Sequence, residues 1–450
     1  MRASAIVLVW VAATLALAGY LALELTGEDR SLFLPGRTTD GHHQIELACD
    51  SCHSAFGGVR QQACLDCHAE ELEAAEDSHG DRKFADPRNA ADLERLDARR
   101  CVTCHTEHRP GITGAMGLTL PADFCLHCHA EVGEERPSHQ GFGFDTCASG
   151  GCHKYHDNRS LYEDFLARHG RDPVNTVRGL LPPRSGGVLR DGGERTALAA
   201  EDTEAPAEVA PAGAEGGADA SPELLAAWAA SSHALTEVGC PDCHETGASG
   251  WTDRPEREMC GGCHELESRG FQAGRHGMRW AVGLASMSPA KARLPMRREA
   301  LARTIDCGAC HDVHGVDVRA AAVEGCLACH ADEHSLAYVD SPHHRLWRRE
   351  IAGEGEPGSG VSCATCHLPR EQRRVAGEDR IVVEHNQNAN LRPNEKMIRG
   401  VCMTCHSLAL SVDALADRDL IRRNFDGRPA RHVDSIDMAL ARLESGEQEP

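Results

Sequence analysis

The chain has 450 residues, with 47 Lys and Arg against 69 Asp and Glu, for a formal charge of −22. That imbalance excludes nucleic-acid binding, which needs clustered Lys and Arg to neutralise phosphates, and it favours basic partners. Aromatic residues make up 4% of the chain, with nine Phe, while Cys reaches 22 and His 27, so an interior built from side chains alone would be thin.

The first predicted element is apolar. After Met1 and Arg2 no charge occurs from Ala3 to Leu23, about the length a helix needs to cross a bilayer and longer than the usual apolar core of a signal peptide. Residues 1–25 are therefore read as an N-terminal membrane anchor. A signal cleaved after Ala18, behind Ala16-Leu17-Ala18, stays open as the alternative. Under both readings the rest of the chain lies outside the cytoplasm with Arg2 on the inner side. The expected location is the periplasmic face of the bacterial inner membrane, or the periplasm itself after cleavage.

The cysteines then follow one pattern. They form eleven pairs, and in each the second Cys is followed at once by His. The first five are Cys49, Cys52, His53; Cys64, Cys67, His68; Cys101, Cys104, His105; Cys125, Cys128, His129; and Cys147, Cys152, His153. The other six are Cys240, Cys243, His244; Cys260, Cys263, His264; Cys307, Cys310, His311; Cys326, Cys329, His330; Cys363, Cys366, His367; and Cys402, Cys405, His406. Two thiols at this spacing can each add across one vinyl group of a haem, and the adjoining His then reaches the iron. Eleven covalently attached haems c are expected, the wider loop from Cys147 to Cys152 included. Zinc sites group such pairs two and two, and an odd number leaves one site incomplete. Redox-active Cys-x-x-Cys motifs do not recur along one chain. The porphyrins would supply the apolar bulk that the side chains lack.

Between the motifs the helix signals are short. Asp86-Pro87 predicts a helix through Arg99, with Leu93 and Leu96 on one face, and Ser221-Pro222-Glu223 opens another toward Trp228. Residues 171–220 hold no haem motif and no His, and they accumulate Pro, Gly, Ala and Glu. They read as a disordered linker, or as a long surface loop, between a five-haem domain (42–170) and a six-haem domain (221–440). No alternating strand pattern of any length is present. The expected fold is mainly α with much irregular structure, helices and loops wrapped round stacked haems, and little or no β-sheet.

Besides the eleven His that follow a second Cys there are sixteen others, eight in each half, so every iron could take a second imidazole. The best-placed candidates are His79, His108, His139, His156, His233, His276, His314, His334, His343 and His385. His108 and His314 each follow a motif His by three residues and so serve a neighbouring haem. His432 and the doublets His42-His43 and His343-His344 include members expected to ligate nothing. The nine Met show no regular relation to the motifs, so low-potential bis-His haems are expected. An iron ligated on both faces has no place for substrate. No catalytic residue is assigned.

The first domain, with its closely spaced motifs and the wide Cys147-Ala-Ser-Gly-Gly-Cys152-His153 loop, is similar to the class III small multihaem cytochromes. The second resembles the hydroxylamine oxidoreductase type of multihaem cytochrome. That resemblance rests on Trp228-Ala-Ala-Ser-Ser-His233, Phe271-Gln-Ala-Gly-Arg-His276 with Trp280, His311-Asp-Val-His314 and Tyr338-Val-Asp-Ser-Pro-His343. It implies distal roles for His233, His276 and His343. The family's catalytic haem motif would fall within 277–306, and that stretch holds no Cys. Its acidic residue and His would fall near Glu333 and His334, where a ligand and its neighbour are expected instead, and Tyr338 is expected to pack. The function expected is electron transfer between other periplasmic or membrane redox proteins. The alternative is an oxidoreductase acting on a small nitrogen or sulfur compound such as hydroxylamine or nitrite.

Overall fold

The computed structural model describes residues 2–27, 29–54, 57–75, 79–136, 139–141, 143–147, 154–156, 220–245, 250–375, 377–433, 437 and 441. The linker expected at 171–220 lies outside these residues apart from Ala220. Cys152 and His153 also lie outside them. The described residues fold as many short helices with two small two-stranded sheets, a mainly α architecture.

At the N-terminus one helix, Arg2–Thr26, runs for 25 residues. Its stretch Ala5–Thr26 is long and apolar enough to cross a membrane by length and composition, and none of it is buried against the rest of the chain. The other helices are short, and helices of four to fourteen residues hold their shape by packing rather than by propensity.

The chain forms two compact units. One comprises Met1–Ala69, Asp81–Pro121 and Val282–Leu284, and it carries the motifs that begin at Cys49, Cys64 and Cys101. Within it His53–Ser54 pairs antiparallel with Gly58–Val59, and helix Gln61–Ala74 carries the second motif. The helix expected from Asp86 starts as predicted, with the Asp86 carboxylate accepting from the Arg88 amide, but it ends at Arg95 instead of Arg99. Leu96 turns extended, and the Thr103 hydroxyl donates to the Asp97 carbonyl at 2.8 Å, tying that segment to the third motif.

The other unit comprises Glu70–Gly80, Ala122–Ala281 and Ala285–Pro450. Its apolar side chains gather in two small clusters. Val323, Tyr338 and Trp347 form one, with Leu327 and Cys363 packed against it. Met397, Ile398, Val401, Met403, Leu408, Ala409, Val412 and Leu415 form the other, with Cys366 and Cys402 against it. Helix Pro222–Ala229 starts where Ser221 predicted, with the Ser221 hydroxyl accepting from the Leu224 amide. Trp228 is buried and donates to the Val238 carbonyl. A hairpin that the pattern did not announce joins Arg370–Val375 to Glu378–Val383, turning at Gly377 with φ at +90°. Charged side chains on both of its faces hid the alternation. Residues 277–306, which hold no haem motif, brace another one. Arg297 donates its amide to the Cys329 carbonyl and its guanidinium to the Leu327 carbonyl, and the Ala331 amide donates to the Pro295 carbonyl.

Near the C-terminus His432 stands between two carboxylates, with Nδ1 3.1 Å from Asp413 and Nε2 2.7 Å from Asp437. The Asp413 bond first, then the Asp437 bond, raises the imidazole pKa above its ordinary 6.5. A raised folded value means that this contribution is complete below the ordinary value and is lost as pH climbs through the raised one. The Val433 amide donates to the same Asp413 carboxylate. Its hydrogen-exchange protection, corrected for intrinsic rate, is expected to hold up to the ordinary value of 6.5 and to fall as pH climbs through the raised one. Protection that does not vary with pH would show that these ion pairs do not fasten the segment.

Candidate functional site

Several motif His are delivered by a short turn of helix that the two cysteines themselves occupy, as in Cys240–His244 and Cys363–His367. Opposite these imidazoles stand others, at a recurring separation. Ring centroids lie 6.0 Å apart for His42 and His68, 6.4 Å for His53 and His108, and 6.1 Å for His79 and His129. The separation is 6.1 Å for His233 and His264, 6.2 Å for His244 and His314, and 6.2 Å for His276 and His330. It is 6.3 Å for His311 and His385, 6.0 Å for His334 and His367, and 6.2 Å for His343 and His406. Two metal–nitrogen bonds of about 2 Å, plus the distance from each nitrogen to its ring centre, add to roughly 6 Å. The pairs are thus spaced to hold one iron each, and the cysteines of the same motifs lie beside them, so the donor set fits haem c.

Local structure explains how the facing His are placed. Three of them occupy the second position of a helix behind a capping side chain. Ser231 accepts from the Ala234 amide ahead of His233, Asp332 from the Ser335 amide ahead of His334, and Ser341 from the His344 amide ahead of His343. Ser231 and Ser341 are buried. A cap of this kind contributes about 1 kcal/mol, and here it also fixes where the ring two residues on is aimed. Gly274 does the same for His276 by standing aside. A Cβ at that position would meet the Gln387 side chain at 2.6 Å and the His385 carbonyl at 2.9 Å, so glycine lets the segment that carries His385 pass close by.

Ring nitrogens that do not face the gap are held too. Nδ1 donates to a backbone carbonyl in His79 (Tyr155, 2.9 Å), His108 (Gly36, 2.8 Å), His244 (Thr252, 2.7 Å), His334 (Ile421, 2.5 Å) and His385 (Val383, 2.9 Å). Such a bond fixes the tautomer and turns the Nε2 lone pair toward the partner ring. At His334 the Asn424 amide also comes within 3.3 Å of Nε2, with the His334 carbonyl as its second acceptor at 3.2 Å. Burial, reinforced by neighbouring imidazoles, pushes His276, His343 and His367 down to about 4. These rings are therefore neutral, the form that binds a metal.

The geometry separates the doublets. His343 faces His406, whereas His344 turns its Nδ1 to the Val339 carbonyl and its ring to Tyr338. His42 faces His68, whereas His43 turns to the Asp40 carbonyl. His42 is the residue that sequence reasoning missed, because no spacing rule favours one member of a doublet. Its Nδ1 lies 2.7 Å from Glu107 Oε1, and the same carboxylate accepts from the Thr39 amide at 2.7 Å and the Thr39 hydroxyl at 2.8 Å. Burial alone would raise the Glu107 carboxyl, but the bonds from His42 and Thr39 outweigh it and hold the group at about 2.

The structure also places the other predicted residues. His105 turns Nδ1 to the Gly117 carbonyl at 3.3 Å. The His139 amide donates to the Arg136 carbonyl, and His156 stands edge-on to Tyr155, whose ring stacks on His79. Glu333 pairs with Arg422 at 3.5 Å. Tyr338 is buried and donates to the Val361 carbonyl at 2.8 Å, a packing role. His432 is engaged by Asp413 and Asp437.

Two stretches, 41–130 and 232–331, match the family model of cytochrome c3. Each stretch carries four of the haem motifs, from Cys49 to His129 in the first and from Cys240 to His330 in the second. The match supports a multihaem c-type cytochrome with covalently bound haem c, whose class of activity is electron transfer. It extends into the half that resembles hydroxylamine oxidoreductase, and that finer resemblance finds no support in it. No curated protein and no solved structure matches the chain with significance.

Proposed function

We propose that this chain is a periplasmic electron conduit with eleven haems c, one on each motif, attached to the membrane through the helix Arg2–Thr26 or released by its cleavage. The observation that carries this reading is the set of nine opposed imidazole pairs among the described residues, because an iron held from both sides passes electrons without offering substrate a place.

A second observation concerns the thiols. The Cys64 thiol lies beside that of Cys101, Cys125 beside Cys147, Cys260 beside Cys307 and Cys326 beside Cys363. The backbone brings the same motifs together, since the Cys101 amide donates to Gln61 just ahead of Cys64. A Cβ at Gly325 would lie 3.1 Å from the Cys310 carbonyl. Each thiol marks an edge of its porphyrin, so thiols in contact bring the edges of successive haems together. On this reading the haems from Cys240 to Cys402 follow one another in sequence order.

Intact mass and a haem assay on the matured protein test the proposal. Eleven haems per chain are expected, together with a purely low-spin spectrum. A high-spin haem that binds and turns over nitrite or hydroxylamine would replace the conduit with an enzyme.

A further inference from the structure

The loop after the third motif serves two centres at once. It runs His105-Thr-Glu107-His108, with His108 in the left-handed region at φ 61°. Gly36 makes room for it, since a Cβ there would lie 2.9 Å from the His108 carbonyl. His108 faces His53, and one residue earlier Glu107 turns to the outer nitrogen of His42, whose ring faces His68. The outer nitrogens of His79, His108, His244, His334 and His385 meet neutral backbone carbonyls, and Asp332 stands off at 3.6 Å from His330 Nδ1, whereas the Glu107 carboxylate is at 2.7 Å from His42 Nδ1.

We propose that Glu107 is a positioning residue that holds His42 on the haem of His68 with partial imidazolate character, giving that haem a lower reduction potential than haems whose ligands are backed by backbone carbonyls. A hydrogen bond to an ionised acceptor is roughly twice as strong as one between neutral groups. A carboxylate behind a ligating imidazole raises its basicity, and a more basic ligand favours ferric over ferrous iron. Thr39, with both its amide and its hydroxyl on the same carboxylate, keeps Glu107 from rotating away. This inference rests on the ligand reading of His42 proposed above.

The test uses the full haem-loaded chain. In Glu107→Gln the amide oxygen can still accept from the Thr39 amide and the NH2 group can donate to the Thr39 hydroxyl, but the charge is gone. One low-spin haem is expected to shift its electron paramagnetic resonance signature and to move its reduction midpoint in the positive direction, the others staying in place. A redox titration that superimposes on the unsubstituted protein overturns the inference. His42→Ala separates that failure from failure of the ligand reading. A new high-spin haem in His42→Ala, with Glu107→Gln silent, would leave His42 a ligand and remove Glu107 from the account. No new high-spin haem in His42→Ala would remove both. In the unsubstituted protein one near-infrared charge-transfer band is expected at higher energy than the rest, and a single uniform band would also overturn the proposal. That last measurement needs no variant to fold.

Discussion

Replacing His343 with alanine is expected to convert one low-spin haem into a high-spin one that binds carbon monoxide, while His344→Ala leaves the spin state alone. The two residues are neighbours on helix Pro342–Ile351, yet one faces His406 across 6.2 Å and the other leans on Tyr338 and the Val339 carbonyl. Burial keeps His343 neutral, its pKa pushed down to about 4, so the ring has no role as a charged group to lose. The ring is half-buried, so its truncation also removes some packing contacts. Spin state is read by electron paramagnetic resonance and carbon monoxide binding by difference spectroscopy. An unchanged low-spin spectrum in His343→Ala would remove the ligand role from this residue, and a high-spin haem in His344→Ala would transfer it.

A chain made without haem attachment is expected to be unfolded. Among the described residues the buried apolar side chains that cluster do so in two modest groups around Trp347 and around Leu408, both in the same compact unit, and others such as Phe124, Trp228, Met287 and Ile305 lie outside these groups. Ordering a residue costs about 1–2 kcal/mol in backbone entropy alone, and clusters of that size cannot offset it along the chain. Porphyrins held between opposed imidazoles would fill the interior instead, so folding and cofactor attachment become one event, as in small metal-dependent domains. The measurement is far-ultraviolet circular dichroism with limited proteolysis on a variant whose motif cysteines are all alanine. A helical, protease-resistant product would show that side chains suffice.

What could be read from the sequence divides along the range of the interaction. Covalent attachment fixes two cysteines and a His within a few residues, so the motifs are visible as letters. Caps are equally local, and Ser221 and Asp86 announced their helices, although Asp86 could not announce that Leu96 would turn away toward the third motif. The second imidazole comes from elsewhere in the chain, as with His311 and His385, and no local rule connects such residues. His42 was passed over for that reason, since its distinguishing contact is to Glu107, far along the chain. The hairpin ending at Val383 escaped because its strands carry charge on both faces. Its place is nonetheless specific, because the His385 ring hangs from the Val383 carbonyl where the strand stops.

The order of the facing imidazoles along the chain bears on assembly. A chain delivered across a membrane N-terminus first exposes His42 before His68, His79 before His129 and His233 before His264. The same holds for His276 and His330, His334 and His367, and His343 and His406. In these six pairs the facing imidazole is already outside when the motif emerges. For His53, His244 and His311 the partners His108, His314 and His385 arrive later. On the ligand reading proposed above, maturation would pass through intermediates in which these three motifs lack their second imidazole until the following stretch of chain has crossed.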